Sequence, residues 1–428
     1  MGVSTNGFDA NPSFSSTLGG LQAATVLSQG LPQNFKTPPF IDSGYLNGQS
    51  GPLYRPIDSD HTPYSQQWDL VVERQITSGF FASVGYTGNK GTHLYSYLAS
   101  PNVLNPGLLS MGSTLNDTFG PNDPSKDGVS APYSGWASQS SCGSSVAQAL
   151  LPFPQYCGDI HAVNENKGLS EYHSLQVKAE KRATANGYVL ASYTFSKMLS
   201  NVDSTQPGNE YGGLFSPYQR WRNWGLATSD IKQAFTTAYV YHLPFGTGKR
   251  WLNTGALTNT ILGGWETSGV LHINGAPPFE FRSSACNVPS QFDAQCVPAI
   301  LPGANPFAQS PHSFNPKLPL FNSAAFEPVS SFNGFYLGQG SRVSNVRAFP
   351  YHNEDLAIYK DTAITERVKF ELRAEVFNIW NWHTFQSGSN FGTGTSVFTT
   401  DIGSSGFGQW NGGITPPRNI QLAGRLSF

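Results

Sequence analysis

The chain has 428 residues, length enough for two or three soluble domains, yet only 12% are charged, about half the usual soluble share, while 13% are aromatic. Its 45 glycines and 30 prolines favour strands and turns over helices. Acids and bases nearly cancel to a formal net charge of -2, so nothing marks a nucleic-acid partner or a polybasic membrane contact.

No run of about 18 apolar residues occurs, which excludes a membrane-spanning helix. The mean hydropathy of -0.29 leaves a spanning β-barrel open, because only alternate residues of its strands meet lipid. The opening MGVSTNGFDANPSF has no basic or strongly apolar region fit for secretion, so any export signal is expected upstream. Residues 1–63, rich in Gly, Pro, Ser and Asn, read as the tail of a loop.

From Gln66 to Ile76, Trp68, Leu70, Val72 and Ile76 fall on one face and Gln67, Asp69, Glu73 and Gln75 on the other, with Arg74 the misfit. The turn Thr77-Ser78-Gly79 leads to Phe80, Ala82, Val84 and Tyr86, alternating with Ser83, Gly85 and Thr87, which predicts a hairpin. A second hairpin is predicted where Leu175, Val177 and Ala179 oppose Ser174, Gln176, Lys178, Glu180 and Arg182. Its turn, at Asn186-Gly187, leads to Val189, Ala191, Tyr193 and Phe195. A third pair runs from about Ile231 to Leu243 and from Trp265 to Ile273, joined through LPFGTGKRW. A fourth runs from Asn353 to Asp361 and from Arg367 to Asn378, where Val368, Phe370, Leu372, Ala374 and Val376 oppose Lys369, Glu371, Arg373 and Glu375. Ile420, Leu422, Leu426 and Phe428 then alternate with Asn419, Gln421, Arg425 and Ser427 to the end of the chain.

Connections are short at 77–79, 183–187 and 362–366, but long at roughly 89–170, 199–230, 276–352 and 379–417. Sandwiches and propellers need no such contrast; an antiparallel up-and-down transmembrane β-barrel has it, with short periplasmic turns and long extracellular loops. The count is about nine strands, and an odd number of up-and-down strands cannot close antiparallel. Residues 64–428 are therefore expected to be part of a larger barrel, and 1–63 the remnant of an extracellular loop from a preceding barrel segment. Cys142 with Cys157 and Cys286 with Cys296 form local pairs inside the long loops, without C-x-x-C spacing, and disulfides are favoured over free thiols.

Lys369, Glu371, Arg373 and Glu375 offer paired carboxylates for acid and base work. Interleaved opposite charges on a lumenal face would instead satisfy one another and hold water, which is the preferred reading. His352, Glu354 and Asp355 lie close enough in sequence to suggest a metal site, though metal binding is the disfavoured reading, and FGTGKRW at 245–251 lacks the full phosphate-loop spacing. No G-x-S-x-G, H-E-x-x-H or Cys/His nucleophile pattern appears. Trp68, Tyr86, Tyr193, Phe195, Tyr239, Tyr241 and Trp265 are candidates for interfacial aromatic girdles, whereas Trp136 and Trp410 fall in long loops, as packing or as ligand platforms. A competing reading, a secreted soluble carbohydrate-binding β-protein, predicts that Leu372 lies in a closed core.

Eight stretches carry a resemblance: YSQQWDLVVERQI at 64–76, VGYTGNKGTHL at 84–94, YHSLQVKAEKR at 172–182, ASYTFSKML at 191–199, HLPFG at 242–246, LGGWETSG at 262–269, HNEDLAIYKDTAITERVKFELRAEVFNIWNWHTF at 352–385, and PRNIQLAGRLSF at 417–428. Together they resemble the C-terminal barrel of Oar-like TonB-dependent receptors over about Tyr64 to Phe428. The resemblance implies a barrel of the bacterial outer membrane that takes up a bulky nutrient of unknown identity, with an N-terminal plug and a TonB-binding segment that this sequence lacks. A surface adhesion or structural barrel, or a non-functional truncated fragment, is the alternative. Implied partners are outer-membrane lipid, the barrel assembly machinery, the transported ligand, and TonB only through an N-terminal part outside this sequence. No enzymatic activity, cofactor, metal or nucleic acid is expected. Ile420, Leu422, Leu426 and the terminal Phe428 resemble the signal by which that machinery recognises outer-membrane proteins, pairing with a strand edge until closure.

Overall fold

Segments that alternate apolar and polar residues satisfy both kinds at once as strands, and in the computed structural model each expected segment is one. The described residues are 21–23, 26, 28 and 61–428, less 97, 99, 159, 161–164, 184–186, 203–214, 247, 253–254, 256–259, 366 and 386–396. The expected loop remnant at 1–63 and the expected turn residue Asn186 thus lie almost wholly outside them.

Among the described residues there are nine long strands: β1 (Tyr64–Thr77), β2 (Phe80–Ser96), β3 (Glu165–Ala183), β4 (Gly187–Ser200), β5 (Gln233–His242), β6 (Trp265–Asn274), β7 (Tyr351–Ala363), β8 (Lys369–Phe377) and β9 (Asn419–Ser427). Each pairs antiparallel with its neighbours in chain order, and Gly225–Leu226 adds a short piece beside the end of β4. The sheet is not closed: β1 and β9 run the same way and do not meet. Helices are short, none long and apolar enough to cross a membrane, which has no bearing on crossing by strands.

The loop expected at 89–170 is narrower than the sequence suggested. β2 continues to Ser96 and β3 begins at Glu165, paired through Thr92↔Leu169 and Ser96↔Glu165 across two register shifts. The bulge places His93 at φ 56, and such an extra residue breaks the alternation that would have signalled a strand. At the other end, Thr77 pairs with Phe80 across Ser78-Gly79, where φ is +75 and a Cβ would strike the Arg182 carbonyl oxygen. The Arg182 amide donates to the Gly79 carbonyl at 2.7 Å, tying this turn to the next hairpin.

Among the described residues, none of the buried hydrophobic side chains belongs to a long strand. They lie in the connections, which pack on one another. Phe279, Phe281, Phe321, Phe326 and Phe332 between β6 and β7 share a core with Phe398 and Phe407 from between β8 and β9. Phe292, also between β6 and β7, packs with Leu104, Leu115 and Leu151 from between β2 and β3. The Leu104 amide donates to the Gln291 carbonyl at 2.8 Å across that seam. Disulfides Cys142–Cys157 and Cys286–Cys296, with Cα separations of 5.4 and 5.6 Å, close one loop on each side of it.

Phe321 is 2% exposed and meets Phe279 and Phe281 edge-on, at centroid distances of 5.0 and 5.1 Å. Phe321→Ala should destabilise the loop body by about 3–5 kcal/mol. Limited proteolysis of intact cells should then cut within 275–350, while the strands still resist heat-induced unfolding on gels.

Candidate functional site: a sheet with two unlike faces

Directly paired residues in antiparallel strands project to the same side, so the register carries a face from strand to strand. Leu70 pairs with Tyr86, Tyr86 with Leu175 and Leu175 with Phe195. Tyr193 pairs with Phe235 and Phe235 with Ile273, and at the far end Leu356 pairs with Val376 and Val376 with Ile420. These residues share one apolar face. It is bare: Leu372, which a soluble protein would enclose, is 42% exposed, and Leu422 is 74% exposed. That exposure is the opposite of what a secreted soluble protein predicts for Leu372.

Charged residues on that face sit toward strand ends, as Arg74, Lys181, Lys197, Glu354 and Lys360 do. Lys90 and Glu171 pair at 3.9 Å opposite the last residues of β4. Near the short turns, Lys181 lies over the Phe80 ring at 5.9 Å and Lys360 over Trp265 at 5.3 Å. Long stems along apolar wall with the ammonium at the rim suit a hydrocarbon–water boundary. Toward the long loops the Tyr86 hydroxyl meets His173 Nδ1 at 2.7 Å, and Glu354 accepts from the Tyr239 hydroxyl at 2.8 Å and from Trp380 Nε1 at 2.5 Å.

Three aromatic rings of this face lie across glycines on the next strand: Trp68 over Gly88, Tyr239 over Gly269 and Phe370 over Gly424. A Cβ on Gly269 would stand 2.5 Å from the Tyr239 ring, so glycine is what lets the ring lie flat there.

The opposite face is polar. Lys369, Glu371, Arg373 and Glu375 share it with Asp361, Tyr359 and Arg425, because Arg373 pairs with Tyr359, and Glu371 with both Asp361 and Arg425. Arg373 lies 4.9 Å over the Tyr359 ring and bonds to Glu375 on its own strand. His242 and Glu266 extend the row at 2.8 Å. Two hollows of about 400 and 580 Å³ open on this side, one beside Glu73, Ser83 and Lys178, the other beside Glu266, Asp361, Glu371 and Arg425. A third, of about 340 Å³, is mainly apolar, lined by Tyr188, Ala238, Val240, Val270 and Ala357 of this face beside Ser268, Asp355 and Glu375. The polar face is therefore the concave one.

His352 and Glu354 stand on the apolar face and Asp355 on the polar face, so the three do not converge. Asp355 accepts from Asn353 and from the Asn378 amide instead, at 3.0 and 2.9 Å. FGTGKRW is a turn, closed by Gly246 and Trp251. Trp136 is buried, donating from Nε1 to the Pro154 carbonyl at 3.0 Å, and Trp410 packs edge-on against Phe385. Ile420, Leu422 and Leu426 lie on the apolar face of β9, and Phe428 follows at 96% exposed.

Sequence reasoning missed three arginines, two that clamp the loop body to the strand ends and one that ties two connections together. Buried Arg342 donates to the carbonyls of Ser200 and Leu226 at 2.8 Å each. Arg347 pairs with buried Asp230 and donates to the Ala276 carbonyl at 2.8 Å, while Arg222 donates to the Gly338 and Gly340 carbonyls at 3.0 and 3.2 Å. Burial lowers the pKa of Arg222, against the raising influence of Tyr336 and Glu327. Isolated basic residues in Gly- and Ser-rich loops give no sequence signal of such a role.

A bare apolar face, a concave polar face and turns of unequal length define a wall of an antiparallel, up-and-down transmembrane β-barrel. The family model for an outer membrane beta barrel domain matches residues 2–421, so the chain belongs to that family, whose place is the bacterial outer membrane. Among solved structures it is similar to the outer membrane transporter YddB from Escherichia coli, with 11% identity and a TM-score of 0.39 over 89% of this chain and 34% of that one. It is also similar to P. aeruginosa FpvA bound to a heterologous pyoverdine, with 9% identity and a TM-score of 0.33 over 87% of this chain and 28% of that one. The chain thus spans about a third of the length of these transporters. No curated protein matches it.

Ala191 on the apolar face and Ser192 on the polar face are neighbours on β4. Ala191→Arg should cost about 2–4 kcal/mol of folding stability in the bilayer, and Ser192→Arg much less. Refolding into lipid vesicles with urea titration measures both, and equal losses would mean that the faces are misassigned.

Proposed function

We propose that the chain forms part of the wall of a TonB-dependent, Oar-like outer-membrane receptor for a bulky nutrient. The apolar face meets lipid, and the polar face, with Lys369, Glu371, Arg373 and Glu375, lines the lumen. The observation that carries this reading is the split of faces over nine paired strands, with every buried hydrophobic residue in the connections. The long connections, fused through their phenylalanines and closed by two disulfides, supply an outer surface that collects the ligand. Contact with TonB runs through sequence outside this chain, and the chemistry is transport rather than catalysis. The fused loop body also suits a surface adhesion barrel, which would bind at the same loops and pass no solute.

Uptake decides between the two. Cells expressing the full-length protein should accumulate a labelled nutrient only while TonB and the proton gradient are intact, and accumulation that survives loss of TonB removes the receptor reading. Binding to the cell surface with no accumulation would establish the adhesion barrel. The exposed edge of β9 and the terminal Phe428 form the assembly signal in this reading. Phe428→Ala should lower the folded fraction in the outer membrane several-fold in pulse-chase extraction, without changing the stability of the protein that does fold.

A further inference from the structure

We infer that the polar face of β2 to β5 is a binding lane for an uncharged, polyhydroxylated ligand, a neutral glycan; this rests on the transport reading, which makes that face the lumen wall. Thr87, Asn89, Gln176, Ser192, Thr194 and Thr236 come together there. Gln176 pairs with Thr194 and Ser192 with Thr236, while Thr87 pairs with Ser174 beside Gln176. All six are exposed or half-buried.

Charge is what separates this lane from the rest of the face. Among the described residues of these four strands, Lys178, Glu180, Arg182 and His242 are the charged or protonatable nitrogen and carboxylate groups at or near the short-turn end of the polar face, with Glu180 paired to Lys178 at 3.8 Å and to Arg182 at 2.6 Å. From Lys178 toward the long loops, the strands present hydroxyls and amides. Arg182 is held by Glu180 at the turn, and the face's other strand arginines stand on β8 and β9, Arg373 bonded to Glu375 and Arg425 paired in register with Glu371. An anionic ligand, such as a phosphate or a ferric chelate, would call for arginine or lysine to offset its desolvation; between Gln176 and the long loops the lane offers none, and Lys178 and Arg182 below it are both engaged by Glu180. Serine and threonine hydroxyls both donate and accept, as sugar hydroxyls do, so a neutral glycan finds a partner at each step without an ion to desolvate.

The test uses the full-length protein in detergent and binding measured calorimetrically. The probes are maltohexaose, cellohexaose and mannohexaose, against hexagalacturonate and a ferric tricatecholate as charged counterparts. At least one neutral hexaose should bind ten times more tightly than either charged probe. Thr194→Val and Thr236→Val should each weaken that binding roughly fivefold, while Thr237→Val on the apolar face leaves it unchanged. Resistance to heat unfolding on gels confirms that the variants fold. Tighter binding of a charged probe, no binding of any neutral hexaose, or variants without effect would overturn the inference. Hexaose binding that meets these expectations without uptake into cells would overturn the transport reading and keep the lane, whereas TonB-dependent uptake of a charged probe alone would do the reverse.

Discussion

One antiparallel register, carried across eight strand-to-strand ladders from β1 to β9 and shifting only near the ends of the first two, is the constraint on which the rest of the molecule depends. Side chains of a strand alternate with period two, so a slip by one residue in any ladder would turn every later apolar residue toward the lumen. The register is held by the difference between the two solvents. In the proposed barrel, a slip at β8 would put Phe370, Leu372 and Val376 in water, and Lys369, Glu371 and Arg373 in hydrocarbon, each charge costing kilocalories. Neighbouring hairpins reinforce it locally, as where the Arg182 amide reaches back to the Gly79 carbonyl.

A barrel wall cannot have a core of its own, since one side is lipid and the other water. Stability is therefore divided. The strands draw it from backbone pairing and from the bilayer, and the long connections draw theirs from a phenylalanine cluster built by segments far apart in sequence. Arg342 and Arg347 join the two halves by donating to backbone carbonyls at and just beyond strand ends, and Arg222 ties one connection to another. The connections thus meet the wall as one body rather than as separate loops.

How much of this was legible follows from what leaves a period in the sequence. β8 was plain because Phe370, Leu372, Ala374 and Val376 alternate with charges, and β1 because Leu70 and Val72 do so beside Asp69 and Glu73. The outer parts of β2 and β3 were not, because a bulge at His93 and polar residues on both faces remove the alternation where the strands outrun the bilayer. The charged row on β8 was visible, but its companions Asp361, Tyr359 and Arg425 come from β7 and β9, and only the register brings them beside it. The loop core left no trace, since phenylalanines scattered among Gly, Pro and Ser have no repeat and a loop reads as exposed by default.

The glycines under Trp68, Tyr239 and Phe370 show how the two faces constrain each other. A glycine weakens a strand, because its backbone loses more freedom on folding and it offers no side chain to its neighbours. Here an aromatic ring from the next strand covers the gap on the lipid side, restoring the lost contact area while keeping the wall thin. On the lumen side the neighbours of Gly269 are Ser268 and Val270, so the polar face keeps its own spacing undisturbed. The ring and the glycine form a unit across two strands, and a register shift would part them. The same alternation that hides hydrocarbon from water thus also fixes where the largest side chains of the wall can lie.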